Sequence, residues 1–219
     1  MRHIPWLAVC GAVWLGAGCS GSIPKRGGLP EEGIAAVVVG GRFITAAGET
    51  QSGILYLNLE GEGGRQAETY RLPILPHQSL LYQVEPGIYR LSVTRNWLGF
   101  AQPILKVRIA GGAYRLTFPR DILHKAAFDI QPRKIVSIGI FEVRLEPTLP
   151  GRPPMAKVHL DDSVAARRQI VQDIIHEMMD PTVAPAARES AVAWSRALQN
   201  SLMELLAETE RAPLYKSGQ

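Results

Sequence analysis

The stretch Leu105-Lys106-Val107-Arg108-Ile109-Ala110-Gly111-Gly112-Ala113-Tyr114-Arg115-Leu116-Thr117-Phe118 alternates apolar and polar residues on both sides of a glycine pair. Alternation with a period of two places one set of side chains on a buried face and the other in water, as in a half-buried β-strand. A glycine pair between two such runs favours a tight turn. The stretch therefore predicts a β-hairpin with one solvated face.

A similar segment, Gly87-Ile88-Tyr89-Arg90-Leu91-Ser92-Val93, stands 25 residues before its counterpart in the hairpin. Glu85-Pro86 precedes it. Proline sets φ for the first central position of a turn, and Gly87 can adopt the positive φ of the second, so the sequence predicts a type II turn that leads into a strand. One such pair of segments is too little for a repeat protein.

Short β-type runs separated by turn residues extend over residues 33–147, and we expect this region to form one β-rich domain. Residues 34–39 are so uniformly aliphatic that a strand buried on both faces is expected. The number and spacing of the runs favour a mainly β fold, an antiparallel β-sandwich of about 7–8 strands. The runs are residues 34–39, 54–59, 68–72, 80–84, 89–93, 105–109, 114–118, 128–132 and 135–145.

After the sandwich, residues 148–160 read as a Pro-rich linker and residues 161–212 as a C-terminal helical hairpin. Asp161-Asp162-Ser163 supplies oxygen atoms that can cap the first helix. We expect that helix to end near Asp180-Pro181 and a second helix to begin at Pro185, with a frayed tail at residues 213–219.

The N-terminus has the features of an exported chain. A basic start, an apolar run over residues 4–14 and the small residues before Cys19 appear in the order of a signal peptide. Leu15-Gly16-Ala17-Gly18-Cys19 resembles the lipobox of bacterial lipoproteins. The resemblance implies a signal peptide at residues 1–18, cleavage between Gly18 and Cys19, and lipidation of Cys19 with acyl chains such as palmitate.

The leader has two other interpretations. A membrane-spanning helix needs about 20 apolar residues, whereas this run is shorter and contains Pro5. An ordinary secretory signal cleaved at the same small residues remains the alternative.

Residues 19–32 are rich in Gly, Pro, Ser and charge, which is typical of a flexible tether. In Gram-negative members of the lipoprotein family, a residue other than Asp after the cysteine implies export to the outer membrane, and here that residue is Ser20. We therefore expect a protein that is lipid-anchored at the bacterial outer membrane and faces the periplasm, with the membrane as its partner through Cys19.

Composition excludes several classes of protein. The chain has 219 residues, 46% of them hydrophobic, which is enough for a sizeable core. Cys10 lies in the leader and Cys19 is the second of the two cysteines, so the mature chain has neither an internal disulfide nor a cysteine-based metal site. The formal charge of +4 includes no basic run with interleaved aromatic residues, which disfavours nucleic acid as a partner.

Charge is distributed unevenly along the chain. Residues 33–147 carry 13 basic and 9 acidic side chains, whereas residues 161–211 carry 5 basic and 9 acidic ones. Such asymmetry suits docking of the helical segment on its own domain, although a solvated helix face explains it equally well.

Candidate chemistry in the sequence is weak. His176-Glu177 resembles the start of a zinc-protease helix, but Asp180 stands where the second histidine is needed. Asp161-Asp162 lacks the additional oxygen ligands of a calcium or magnesium site, and helix capping explains it better. The mature histidines, His77, His124, His159 and His176, belong to no recognisable nucleophile motif. The sequence thus assigns no catalytic residue, no cofactor and no metal ligand.

One loop stands out as a possible contact surface. Trp97 and Phe100 lie beside Gly99 in an expected loop between strands. Exposed aromatic residues next to glycine can contact a sugar, a peptide or a lipid headgroup, although folding of Trp97 into the core is the more common case.

Three segments resemble the transthyretin-like or carboxypeptidase-regulatory-like sandwiches of uncharacterised bacterial envelope lipoproteins. These segments are Glu85 to Leu91, Phe128 to Pro132 and Ile135 to Gly139. The resemblance covers residues 33–147 and implies a binding or structural role. We therefore expect a non-enzymatic, membrane-anchored envelope lipoprotein. One alternative is a hydrolase of envelope polymers whose residues are scattered in sequence. Another is an accessory subunit that docks on an envelope protein partner through helices 161–212.

Overall fold

The computed structural model describes residues 22–26, 33–62, 69–92, 104–109, 112–117, 119, 122, 127–147, 150–182 and 185–211. These ranges contain ten β-strands and two α-helices. The strands are β1 (Ala35–Ile44), β2 (Leu55–Glu62), β3 (Thr69–Ile74), β4 (Ser79–Val84), β5 (Gly87–Ser92), β6 (Ile104–Ile109), β7 (Gly112–Thr117), β8 (Phe128–Ile130), β9 (Ile135–Leu145) and β10 (Met155–Asp161). The helices are α1 (Val164–Met179) and α2 (Pro185–Arg211).

The strands form two sheets that pack face to face. One sheet has the strand order β4-β1-β9-β10-β7-β6, and the other has the order β3-β2-β5-β8. Leu57 and Leu72 from the smaller sheet share a buried cluster with Phe43, Phe141 and Val143 from the larger one. The expected fold class, a mainly β sandwich followed by a helical hairpin, is confirmed.

Both helices cover part of the outer face of the six-stranded sheet. Ile170, Ile174, Trp194 and Leu198 bury their side chains against Ala36, Val38, Leu81 and Ile135. Val37 and Val39 point instead into the core between the sheets. The aliphatic run at residues 34–39 is therefore buried on both faces, as expected. Within the described ranges, neither helix is long and apolar enough to cross a membrane.

The helix ends follow the sequence signals. The Ser163 side chain accepts a hydrogen bond of 3.2 Å from the backbone N–H of Ala166, which makes Ser163 the N-cap of α1. α1 ends at Met179, before Asp180-Pro181, and α2 begins at Pro185. The predicted boundaries of the helical hairpin are correct to within a few residues.

The linker predicted at residues 148–160 is wrong in its second half. Residues 155–161 form β10, which lies inside the larger sheet between β9 and β7. Ala156, Val158 and Leu160 are buried, whereas Lys157 and His159 are exposed, which is the alternation of a strand with one solvated face. The prolines immediately before this segment obscured that pattern, so the sandwich extends beyond residue 147.

The sandwich is mostly antiparallel, but the larger sheet contains two parallel strand pairs. β1 pairs with β9 in parallel, and β10 pairs with β7 in parallel. In both cases many residues separate the partners in sequence, and parallel pairs need such long connections. The described strand count of ten also exceeds the expected 7–8.

The type II turn predicted at Pro86-Gly87 does not form. Gly87 is not among the glycines with positive φ. β4 and β5 belong to different sheets, so Glu85-Pro86 carries the chain across the sandwich instead of folding it back. The Glu85 N–H donates to the Tyr70 hydroxyl at 3.1 Å, and the Tyr89 hydroxyl donates to the Glu85 carbonyl at 2.9 Å. These two bonds hold the crossing.

The hairpin predicted at residues 105–118 is confirmed. β6 and β7 pair antiparallel, with Ile109 opposite Gly112 and Leu105 opposite Leu116. β5 and β7, which carry the similar segments, lie in different sheets. Where burial is described in both strands, Arg90 and Arg115 are exposed and Leu91 and Leu116 are buried. At these positions the similarity reflects the same alternation of exposed and buried residues.

Candidate functional site

Several residues selected from the sequence lie outside the described part of the chain. These are Gly18 and Cys19 of the lipobox, Trp97 and Phe100 of the contact loop, and His124. Their predictions stay predictions.

The other histidines lie in three separate elements. His77 belongs to the turn between β3 and β4, His159 lies on β10, and His176 is exposed near the end of α1. The structure does not bring these three into one constellation. Among the described residues, no three His, Cys, Asp or Glu side chains come together as a metal ion would require.

Asp161 supports the start of α1. Its carboxylate accepts a hydrogen bond of 3.0 Å from the backbone N–H of Ser163. The hydrogen bonds with Ser163, first that of its side chain and then that of its backbone, hold the pKa of the Asp161 carboxyl below its usual value. The capping role expected of this segment is confirmed.

A polar cleft lies where the helical layer meets the edge of the larger sheet. It has a volume of about 350 Å³ and is lined by Gly40, Gly41, Arg42, His77, Gln78, Ser79, Ile140, Gln169 and Asp173. Gly40 and Gly41 contribute no side chains in the middle of β1. We call this hollow the α1 cleft.

Gly41 sets the shape of the α1 cleft. The Gly41 N–H donates to the Gln78 carbonyl at 3.2 Å, and the His77 N–H donates to the Gly41 carbonyl at 2.7 Å. A Cβ atom on Gly41 would stand 2.2 Å from the Leu75 carbonyl oxygen, which no relaxed structure permits. The turn at residues 75–78 therefore presses directly on the β1 backbone, and His77 adopts a left-handed φ of 54°.

Asp173 is the hydrogen-bonding centre of the α1 cleft. Its Oδ2 accepts from the Ser79 hydroxyl at 3.0 Å, and its Oδ1 accepts from the Gln169 amide at 2.7 Å. In a hydrolytic triad the imidazole lies between the hydroxyl and the carboxylate. Here the Ser79 hydroxyl donates directly to Asp173, and His77 only lines the same cleft, so the geometry suits ligand binding better than nucleophile activation.

Beyond the cleft, the larger sheet has an outer face that the helices leave uncovered. Neighbouring strands place Arg42, Glu142 and His159 in one row across this face. The Glu142 Oε1 lies 2.7 Å from the Arg144 Nη2, and its Oε2 lies 3.9 Å from the Arg42 Nη1. Lys157 forms an ion pair with Glu146. We call this surface the open face. Together with the α1 cleft, it forms a polar, charged surface suited to a hydrogen-bonding partner.

Residues 22–26, expected to be part of a flexible tether, are instead bonded to the sandwich. The Ser22 N–H donates to the Thr69 carbonyl at 2.9 Å, and the Arg71 N–H donates to the Ser22 carbonyl at 2.8 Å. The Gln83 N–H donates to the Lys25 carbonyl at 2.9 Å. Since β3 and β4 are edge strands of different sheets, this segment bridges both edges. We call it the strap.

The strap also closes the gap between the sheets. Pro24 is buried, whereas the four residues around it are exposed. The Tyr82 hydroxyl donates to the Pro73 carbonyl at 2.6 Å and joins the two edges directly. Burial raises the pKa of Tyr82 to about 12, an effect that Arg26 partly offsets. Arg26 also lies 3.9 Å from Glu177 of α1, so the strap contacts all three layers.

Sequence reasoning missed both the strap and the α1 cleft. Ile23-Pro24, two apolar residues within a polar segment, was the available signal for the strap. For the cleft, the signal was the Gly40-Gly41 pair inside an aliphatic run, where a strand interior rarely tolerates two glycines without a close backbone approach.

No family model matches the chain, and no curated protein matches it. The chain is similar over 59% of its length to a candidate cell adhesion protein from Bacteroides ovatus of known crystal structure, with 7% identity and a TM-score of 0.25. The chain spans 44% of that protein. A similarity of this size carries no argument about fold or function.

Proposed function

We propose that this chain is a lipid-anchored protein of the bacterial cell envelope with a non-catalytic binding or scaffolding role. In this proposal Cys19 carries the lipid, the outer membrane is the anchoring surface, and the sandwich presents a polar binding face. The lipobox resemblance supports the anchor, and the α1 cleft and open face support the binding role.

The observation that carries the proposal is the bonded strap. A binding domain at a membrane benefits from a fixed position relative to its anchor. The strap begins three residues after Cys19, and its carbonyl groups accept hydrogen bonds from both sheet edges. The anchor and the domain would therefore behave as one body, which suits a scaffold.

The anchor is tested by incorporation of radiolabelled palmitate in the producing cell. We expect label in the wild-type protein, loss of label in Cys19→Ala, and unchanged label in Cys10→Ala, because Cys10 lies in the leader. Equal labelling of wild type and Cys19→Ala, or no label in the wild type, contradicts the anchor.

The binding role is tested by photo-cross-linking in intact cells from residue 144 on the open face, with residue 152 in an exposed turn as the control. We expect a discrete product from position 144 that Arg42→Glu weakens and that position 152 lacks. The same product from both positions, or none from position 144, contradicts binding at the open face.

A hydrolase of envelope polymers is the second candidate, and one observation favours it. His77, Ser79 and Asp173 line the same cleft although they are far apart in sequence. If this candidate is correct, Ser79→Ala abolishes release of soluble fragments from isolated cell-wall polymer, and Ser52→Ala, a change at an exposed serine, leaves it intact. Equal release by both variants rules out Ser79 as a nucleophile.

Docking on a partner protein through the helices is the third candidate. Trp194, Leu198 and Leu205 are buried in the chain's own helical layer. A partner would therefore contact the outer side of α2, where Val192 and Met203 are exposed. Val192→Glu with Met203→Glu is a sharper test than deletion of the helices, because deletion would uncover the sheet beneath them.

A further inference from the structure

We infer that the end of the sandwich that carries the strap lies against lipid headgroups, with Ile23 and Met179 at the contact. We call this end the strap end. It comprises the strap, the start of β3, the end of β4 and the C-terminal end of α1. The inference rests on the proposed lipidation of Cys19 and goes further, because it assigns an orientation and a membrane-contacting surface.

The length of free chain limits how far the sandwich can lie from the membrane. Two residues, Ser20 and Gly21, separate Cys19 from Ser22, and the three extended residue steps between them span at most about 11 Å. Ser22 is hydrogen-bonded to Thr69 and Arg71 of β3. With Cys19 held at the membrane by its acyl chains, the start of β3 can only lie close to the bilayer surface. A tether of 13 free residues would have imposed no such limit.

Exposed apolar side chains lie at the strap end. The described residues include five large hydrophobic side chains that are exposed: Ile23, Ile88, Met179, Val192 and Met203. Ile23 belongs to the strap and is 61% exposed. Met179 is 73% exposed and lies two residues after Glu177, which faces Arg26 of the strap. The strap end thus presents apolar side chains on the side of the sandwich that the short free chain after Cys19 holds close to the bilayer.

The strap also carries basic side chains. Lys25 and Arg26 are exposed on the strap, next to Ile23. Arg26 and Glu177 are separated by 3.9 Å and their side chains are about half exposed, so their attraction is weak and the guanidinium remains accessible to solvent. Basic side chains beside an apolar one, as at Ile23, are typical of surfaces that lie in the headgroup region, where lipid phosphates accept hydrogen bonds. The charged side chains next to Met179 are instead the carboxylates of Glu177 and Asp180, so the contribution of charge is confined to the strap.

The opposite end of the sandwich provides the internal reference. β9 runs from Ile135, beside the strap end, to Leu145, and its 11 residues span about 33 Å. The turn that follows contains Arg152, which is exposed. A probe at residue 152 should therefore lie well away from the bilayer when a probe at residue 179 touches it.

The experiment uses the full-length lipidated protein in vesicles of phosphatidylethanolamine and phosphatidylglycerol. Met179→Cys and Arg152→Cys each introduce one free thiol, because lipidation consumes the Cys19 sulfur and Cys10 leaves with the leader. A thiol-reactive fluorophore is attached, and a lipid with a nitroxide on its headgroup quenches it. We expect at least threefold stronger quenching at residue 179 than at residue 152.

A matched variant lengthens the free chain without touching the fold. Ten Gly and Ser residues inserted between Gly21 and Ser22 add a coil with a span of about 17 Å. We expect quenching at residue 179 to fall toward the value at residue 152. The far-ultraviolet spectrum should not change, because the insertion lies outside the bonded strap.

Each outcome decides one of two questions. Palmitate label with equal quenching at both positions, or with stronger quenching at residue 152, overturns the orientation and leaves the anchor standing. Quenching at residue 179 that the insertion does not reduce also overturns it, since free chain length then does not set the distance. No palmitate label in the wild type overturns the anchor and the orientation together.

Discussion

Tyr82 shows how one side chain can join the two sheets. Its ring is buried, and its hydroxyl donates to the Pro73 carbonyl across the gap that the strap covers. β3 and β4 are edge strands of different sheets, so this bond is a direct link between the two layers at the open side of the sandwich. Closure of that side thus depends on a few individual bonds.

We expect Tyr82→Phe to lower the free energy of unfolding by about 1 kcal/mol at neutral pH, because a buried hydrogen bond is lost. Burial raises the pKa of Tyr82 from 10.0 to about 12. The protonated Tyr82 hydroxyl therefore contributes its full stabilisation below pH 10, the pKa in the unfolded chain. This stabilisation is lost as the pH rises toward 12, the pKa in the folded chain. Urea denaturation between pH 8 and 12 measures both effects. An alkaline loss of equal size in the variant contradicts the role of Tyr82.

Gly41 packs against the backbone of the turn at residues 75–78. In Gly41→Ala the new Cβ would meet the backbone oxygen of Leu75, so we expect a loss of at least about 2 kcal/mol. Gly40→Ala is the matched control, because its nearest neighbours are flexible side-chain atoms at 3.2 and 3.3 Å. Thermal denaturation of the two variants gives the comparison. Equal stability of the two variants would mean that the turn at residues 75–78 does not press on β1.

The two helices, α1 and α2, form a layer whose inner side is part of the hydrophobic core. α1 and α2 cover the outer side of β1 and β9 with Ile170, Ile174 and Trp194. Two ion pairs connect the helices to the rest of the chain, Glu204 with Lys134 at 3.7 Å and Glu177 with Arg26 of the strap at 3.9 Å. Because the paired side chains are half exposed or more, each pair contributes little, and the helices dock mainly through apolar contacts.

Trp194 is the largest fully buried side chain among the described residues, and Val192 on the same helix is 74% exposed. We expect Trp194→Ala to cost about 3–5 kcal/mol, because it leaves a cavity in the helical layer. Val192→Ala should change stability by less than about 0.5 kcal/mol. Chemical denaturation followed by circular dichroism measures both. A small effect of Trp194→Ala would show that the helices do not stabilise the sheet.

The elements that sequence analysis identified correctly are those with a clear local pattern. Alternation predicted the β6–β7 hairpin, an aliphatic run predicted β1, and cap residues predicted both helices. β10 was missed because its alternation begins directly after prolines that suggested a linker. The Gly40-Gly41 pair indicated a close backbone approach at the α1 cleft, but the sequence could not identify its side chains. Ser79 and Asp173 are 94 residues apart, and only the docking of α1 brings them together.

In the molecule as a whole, the strap at residues 22–26 is part of the fold. Composition suggested a tether at residues 19–32, because Gly, Pro and charge predominate there. That inference ignored what the sandwich needs, which is a cover for the gap between two edge strands. Pro24 and the backbone groups of Ser22 and Lys25 provide this cover. If Cys19 carries the proposed lipid, the bonded strap holds the domain at a fixed position relative to that anchor.

Native-state hydrogen exchange shows directly whether the strap closes the sandwich. The Arg71 and Gln83 amides donate to the strap carbonyls of Ser22 and Lys25. We predict that both amides are protected in the intact chain and that they exchange at least tenfold faster when residues 20–26 are deleted, while the Val37 amide inside the larger sheet stays protected. Equal exchange of the Arg71 and Gln83 amides with and without the strap would contradict the account.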